Sequence, residues 1–105
     1  MKYLRIKKQA DFTRIFSKGK RGFSPTLTVV FRPAERTGMA ISVGKRHGKS
    51  VQRNRIKRLL REAFRSAQTE LKGAYSFILV PKVLESYSVK DFERDIKWII
   101  KKENL

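Results

Sequence analysis

Few side chains in this sequence could move a proton, attack a bond or hold a metal. His47 is the sole histidine and cysteine is absent, which removes thiol nucleophiles, disulfides, zinc clusters and paired imidazoles. A general base must be held by a second group, and no carboxylate neighbours His47 in sequence. The segment Gly44–Lys49 around it carries Lys45, Arg46 and Lys49 and reads as a surface loop, with His47 exposed or facing a nucleic acid. Asp91 and Asp95 stand four residues apart, with Glu93 and Glu103 nearby, and could offer the oxygen ligands of a hard cation. They alternate with Lys90, Arg94, Lys97, Lys101 and Lys102, the pattern of a solvated helix with local ion pairs. Gly38, Gly44 and Gly48 match neither a phosphate-loop nor a dinucleotide fingerprint. No catalytic side chain and no protein-bound metal are expected, which leaves binding.

The residues suited to binding are concentrated. Arg53, Arg55, Arg58, Arg61 and Arg65 recur along one segment with Lys57 as its only lysine. A guanidinium pairs bidentately with phosphate, whereas an ammonium acts as a point charge. Residues 45–65 hold nine basic groups and one acid, Glu62. Residues 1–65 hold 19 Lys and Arg against Asp11, Glu35 and Glu62, while residues 66–105 hold 7 against 6 acids. The net charge of +17 is therefore almost wholly in the first two thirds. Such crowding repels itself, and a polyanionic partner relieves it.

The elements that must position these groups follow from periodicity. Phe12, Ile15 and Phe16 fall at i, i+3, i+4 of a short helix over Asp11–Ser17, stopped at Gly19. Residues 20–24 allow a short extra strand. Leu27–Arg32 alternates, as do Met39, Ile41 and Val43, and the two strands are expected to pair as a hairpin. Ser50 is placed to cap a long helix whose apolar stripe is Ile56, Leu59, Leu60, Ala63, Phe64, Ala67 and Leu71, with Gly73 as its stop. At 100° per residue, Asn54, Arg58, Arg61 and Arg65 lie opposite that stripe, flanked by Arg55 and Lys57. Tyr75–Val80 is a third strand closed by Pro81. Ser88 and Asp91 form a capping box for a last helix with the stripe Val89, Phe92, Ile96, Ile99 and Ile100. Trp98 sits off that stripe, placed either to pack on a loop or to bind.

These elements predict one α+β domain over residues 1–105: helices on a mostly antiparallel sheet of about four strands, in the order α-β-β-(β)-α-β-α. At 105 residues and 40% apolar content there is enough bulk for one core. No run approaches the roughly 18 apolar residues of a membrane span, and MKYLRIKKQADF lacks the apolar run of a secretory leader. A membrane-lying helix would expose apolar bulk, and here the stripe belongs to the core. A DNA recognition helix usually follows another helix across a tight turn, whereas here a strand and a loop precede it. Those readings disfavour lipid and DNA and favour RNA, recognised by backbone shape and unpaired segments. Phe12 and Phe16, beside cations, could hold a single strand or lie buried under the sheet. A cytoplasmic location is expected.

Arg53–Asn54–Arg55–Ile56–Lys57–Arg58–Leu59–Leu60–Arg61–Glu62–Ala63–Phe64–Arg65 resembles the characteristic helix of the bacterial ribonuclease P protein subunit. Arg5–Ile6–Lys7–Lys8, Asp11–Phe12, Ile15–Phe16 and Gly19 resemble that family's first helix, and Ser42–Val51 its strand and loop into the basic helix. The resemblance implies a left-handed β-α-β crossover, against the usual hand. It also implies an auxiliary subunit, one per catalytic RNA, while that RNA uses Mg2+ to remove the 5′ leader from precursor tRNA. Carried over, Lys45, Arg46, Lys49, Arg53, Asn54, Arg55, Lys57, Arg58, Arg61 and Arg65 would bind the catalytic RNA. Phe12, Arg14, Phe16, Val30 and Arg32 would bind the leader, with Val30 where some members carry an aromatic. Gly48–Lys49–Ser50–Val51 departs from the commoner Gly–Asn–Ala–Val. The competing reading is a ribosomal or other structural RNA-binding protein with no part in cleavage.

Overall fold

A computed structural model describes residues 3–105, and Met1 and Lys2, the start of the segment read as lacking a leader, lie outside the described residues. In chain order come β1 (Leu4–Arg5), α1 (Gln9–Lys18), β2 (Lys20–Phe23), β3 (Leu27–Pro33), β4 (Gly38–Ile41), α2 (Ser50–Ala67), β5 (Tyr75–Pro81) and α3 (Val89–Lys102). Short 3-10 turns at Lys45–His47 and Gln68–Glu70 flank α2. The class is α+β as expected, with five strands in the order β1-β4-β5-β3-β2.

The sheet is mixed, and its longest ladder, between β3 and β5, is antiparallel as expected. β2–β3 and β3–β5 are antiparallel, whereas β1–β4 and β4–β5 are parallel. The expected β3–β4 hairpin is therefore absent. β5 lies between them, pairing Leu27 with Pro81 through Pro33 with Tyr75 on one side and Gly38 with Ser76 through Ile41 with Leu79 on the other. The reason is burial: β5 is apolar on both faces, and such a strand is stable only at the centre of a covered sheet. The four residues 34–37 suffice to cross one intervening strand, a gap of roughly 10 Å, at about 3.3 Å per residue. β4, α2 and β5 thus form a parallel crossover unit. β1 went unforeseen because two residues are too few to show an alternation. Leu4 N–H donates to the Thr37 carbonyl at 2.9 Å and Ile6 N–H to that of Met39 at 3.1 Å, adding it to the β4 edge.

The two faces of the sheet bury different cores. Leu27, Val29, Phe31, Met39, Phe77 and Leu79 face α2 and α3, where Ile56, Leu60, Ala63, Phe64, Phe92, Ile96 and Ile99 complete the main cluster. Val30 and Ile78 face the other way, under Ile15 of α1, with Phe12, Ala40 and Val80 packed around them. Ile15 is the sole buried residue of α1, so one short helix covers only part of this face.

Helix ends follow local chemistry, with two departures. Ser88 Oγ accepts from Asp91 N–H at 3.1 Å, as the spacing predicts; the Asp91 carboxylate turns to Arg94 at 3.2 Å instead of completing the box. Ser50 does not cap α2: it is the first helical residue, and Lys49 N–H donates to Gln52 Oε1 at 2.7 Å. α2 stops at Ala67, short of Leu71, and tightens into the 3-10 turn. Trp98 stays half-exposed, with Lys102 Nζ 4.8 Å over its ring.

Candidate nucleic-acid interface

The basic face of α2 is real but not uniform. Asn54, Arg58 and Arg65 point away from the core and are exposed, as are Lys45, Arg46 and Lys49 ahead of the helix. Lys57 and Arg61 are half-buried on the flank toward β1, while Arg55 lies on the opposite flank against His47, Gln52 and Tyr87. Arg53 turns back on its own helix, its guanidinium 3.3 Å from Ser50 Oγ, and its Nε is buried without a partner. Among the described residues, every ion pair lies in α1, in α3 or between α3 and Glu70, and none involves a cation of α2. No acid sits in the first turn of α2, so Lys49 and Arg53 crowd the positive end of the helix dipole. An anion such as phosphate relieves both.

The second surface is built by α1 across the half-covered sheet face. Ile15 anchors the helix. At 100° per residue Phe12 and Phe16 fall on one flank of it and Asp11, Arg14 and Lys18 on the other. The two rings lie nearly parallel (8°), centroids 6.0 Å apart. Phe12 is half-buried and Phe16 39% exposed, so the pair is neither wholly core nor wholly free. Arg21 on β2 lies over the Phe16 ring at 4.8 Å and donates to the Phe16 carbonyl at 2.9 Å. Gly22 points to Ile99 on the opposite face, so Phe23, at 60% exposure, shares the α1 face with Arg21. Phe16, Arg21 and Phe23 thus present exposed aromatic and cationic groups on this face. Arg21 and Phe23 were missed; the alternation of Arg21, Gly22 and Phe23 was the available signal.

Phe12, stacked on Phe16, is the residue that reaches the basic helix. Phe12, Lys57 and Arg61 line one hollow of about 180 Å3, with Arg5 and Lys7 of the β1 segment. The other expected leader residues are not in it. Val30 is completely buried beneath Ile15 and cannot touch a strand of RNA. Arg14 and Arg32 line a second groove, on the far flank of α1. Alternation placed Val30 on the correct face, but whether α1 covered it was a tertiary matter.

Two groups read as solvent-facing are internal. His47 is buried: Gly44 N–H donates to Nδ1 at 3.0 Å, which leaves Nε2–H to donate to the Pro81 carbonyl at 2.7 Å. This neutral tautomer ties the loop to the end of β5. Gly48 follows with φ 114°, a conformation open to glycine that turns the chain into α2. Asp95 is 3% exposed, accepting from Thr26 N–H at 2.9 Å, Thr26 Oγ1 at 2.6 Å and Arg94 Nε at 3.0 Å. With Asp95 and Asp91 both engaged by Arg94, the acids of α3 do not fit a divalent cation.

Comparison with known proteins agrees with this architecture. Residues 1–104 match the family model described as Ribonuclease P. The chain is similar to the ribonuclease P protein component of Dictyoglomus turgidum, 39% identical over 99 residues, covering 92% of this chain and 83% of that protein. That of Clostridium kluyveri is 36% identical over 111 residues, covering 100% of this chain and 98% of its own. Among solved structures, the RNase P protein of Staphylococcus aureus superposes with a TM-score of 0.81 at 28% identity, covering 97% of this chain and 96% of that one. The RNase P protein from Thermotoga maritima gives a TM-score of 0.67 at 26% identity, over 95% and 90% of the two chains.

Proposed function

The chain belongs to the bacterial ribonuclease P protein family, and on that premise we propose that it is the protein subunit of an RNA-based endonuclease that removes the 5′ leader from precursor tRNA. The reaction hydrolyses a phosphodiester and leaves a 5′ phosphate on the mature tRNA. In this reading the catalytic RNA performs the chemistry and holds the magnesium it uses, and no side chain of this chain enters the bond-breaking step. The protein's part is electrostatic and positional. One copy docks on the catalytic RNA in the cytoplasm through Asn54, Arg58, Arg65 and the exposed cations ahead of α2. Phe16, Arg21 and Phe23 hold unpaired leader nucleotides, since any base can stack on an aromatic face.

The observation that carries the proposal is the hollow in which Phe12 meets Lys57 and Arg61. It joins a surface for unpaired bases to a surface for folded RNA. Two polyanions brought to this junction repel, and the uncompensated cations lower that cost. A purely structural RNA-binding protein needs the second surface but not the first. The test compares precursor with mature tRNA on the assembled ribonucleoprotein. Phe16→Ala is expected to weaken precursor binding about tenfold, the scale of one lost stacking contact, and to leave mature tRNA binding unchanged. Equal losses for the two tRNAs would sink the leader reading, as would cleavage by the protein without catalytic RNA.

A further inference from the structure

A second concavity runs along the other flank of α1, about 490 Å3 in volume, and its rim carries Arg5, Lys7, Lys8, Arg14, Arg32 and Arg36. Asp11 is the one acid lining it, and its carboxylate lies 3.7 Å from Arg14. Among the described residues no ion pair engages the other five cations. Gly38 forms part of the floor, where a Cβ would stand 3.2 Å from Ile6. Its absence lets β1 close on β4 and brings Arg5 and Lys7 to the mouth. Those two residues also line the hollow that holds Phe12, Lys57 and Arg61. The groove and the hollow therefore meet around the N-terminal end of α1.

We infer that this groove binds the sugar-phosphate backbone of the leader beyond the nucleotides held at Phe12 and Phe16. A long leader thus wraps the start of α1 rather than leaving into solvent. The inference rests on the leader reading above. Continuity assigns the occupant: a strand seated on Phe12 reaches the groove past Arg5 and Lys7, while the exposed cations of α2 face elsewhere. The bend around one helix excludes a duplex, which is stiff over far longer distances, and suits a flexible single strand. Four of the six cations are arginines, whose forks match phosphate oxygens. Arg14 and Arg32 contact leader in this arrangement, but on the far side of the helix from the aromatic pair.

The test is a series of precursors whose leaders run from a few nucleotides to more than a dozen, bound to holoenzyme containing wild-type protein or the double variant Arg14→Gln/Arg32→Gln. Wild-type affinity is expected to keep rising after the aromatic pair is occupied. The double variant is expected to plateau there, losing about fivefold to tenfold on long leaders and nothing on the shortest. Its salt dependence on long leaders should be shallower by roughly 1.4, about 0.7 for each lost single-strand contact. An equal loss on the shortest leader and on mature tRNA would assign the groove to the catalytic RNA and overturn the inference. So would no loss at any length. If Phe16→Ala lowers precursor binding while the double variant changes nothing, only the groove is refuted; if neither distinguishes precursor from mature tRNA, the leader reading itself fails. Thermal unfolding checks that the variant folds, and Arg36→Gln, exposed in the loop before β4, repeats the test with a smaller change.

Discussion

Asp95 shows how much one side chain can hold together. It links α3 to the turn between β2 and β3 by accepting from the Thr26 amide and hydroxyl, with Arg94 closing the set. Burial by itself works to raise its pKa, but the Thr26 hydroxyl, the Arg94 guanidinium and the Thr26 amide together outweigh it, so the carboxyl is held below the ordinary range. A carboxyl with a depressed folded-state pKa stabilises above its unfolded value, near 4, and that contribution is lost as pH falls through the folded value. Urea unfolding across pH should therefore show a constant contribution from Asp95 at neutral pH and down to about 5, with a loss below about 4. Asp95→Ala should cost about 3 kcal/mol at neutral pH by leaving the buried Thr26 groups unpaired, and most of the decline below pH 4 should go with it; an unchanged decline would assign it to other carboxyls. Asp95 stands three residues after Phe92 and four before Ile99, on the apolar stripe itself. That spacing was a legible warning that it faced inward. The identity of its partner, 69 residues away, was not.

At the scale of elements, close approach of the backbone decides how α3 seats on the sheet. A Cβ on Gly22 would stand 2.6 Å from Ile99 Cγ2, and Ile99 is 1% exposed. Gly22→Ala should cost about 1 to 3 kcal/mol, as overpacking of a filled core does; a melting temperature equal to wild type would show that α3 yields freely. Periodicity revealed all three helices and the strands at Leu27, Met39 and Tyr75, because a buried stripe must recur at the element's own period. It did not reveal pairing. β3 and β4 are neighbours in sequence yet separated by β5, since a hairpin saves loop length whereas a central β5 buries two apolar faces. Strand β1 carries only two residues, too few to show a period.

For the whole molecule, the excess charge and the packed core are segregated. α2 contributes Ile56, Leu60, Ala63, Phe64 and Ala67 to the interior while keeping Arg58 and Arg65 on its outer side. Because Arg58 is exposed and Arg61 only half-buried, Arg58→Ala/Arg61→Ala should leave thermal stability within about 0.5 kcal/mol of wild type. The same variant should weaken binding to catalytic RNA about tenfold and flatten its salt dependence by roughly 2, near 0.9 for each lost phosphate contact on helical RNA treated as a duplex. A filter-binding salt series checks this, and an unchanged slope would remove these two from the RNA surface. The sequence by itself determined the class of the fold, the helix that carries the arginines and the crowding of positive charge in the first two thirds of the chain, because periodicity and charge are local and additive along the chain. Tertiary structure alone decided that Val30 is covered, that Arg32 lies across α1 from Phe12, and that His47 is internal. Those facts depend on which surfaces meet in space, and contact between distant segments leaves no period in either one.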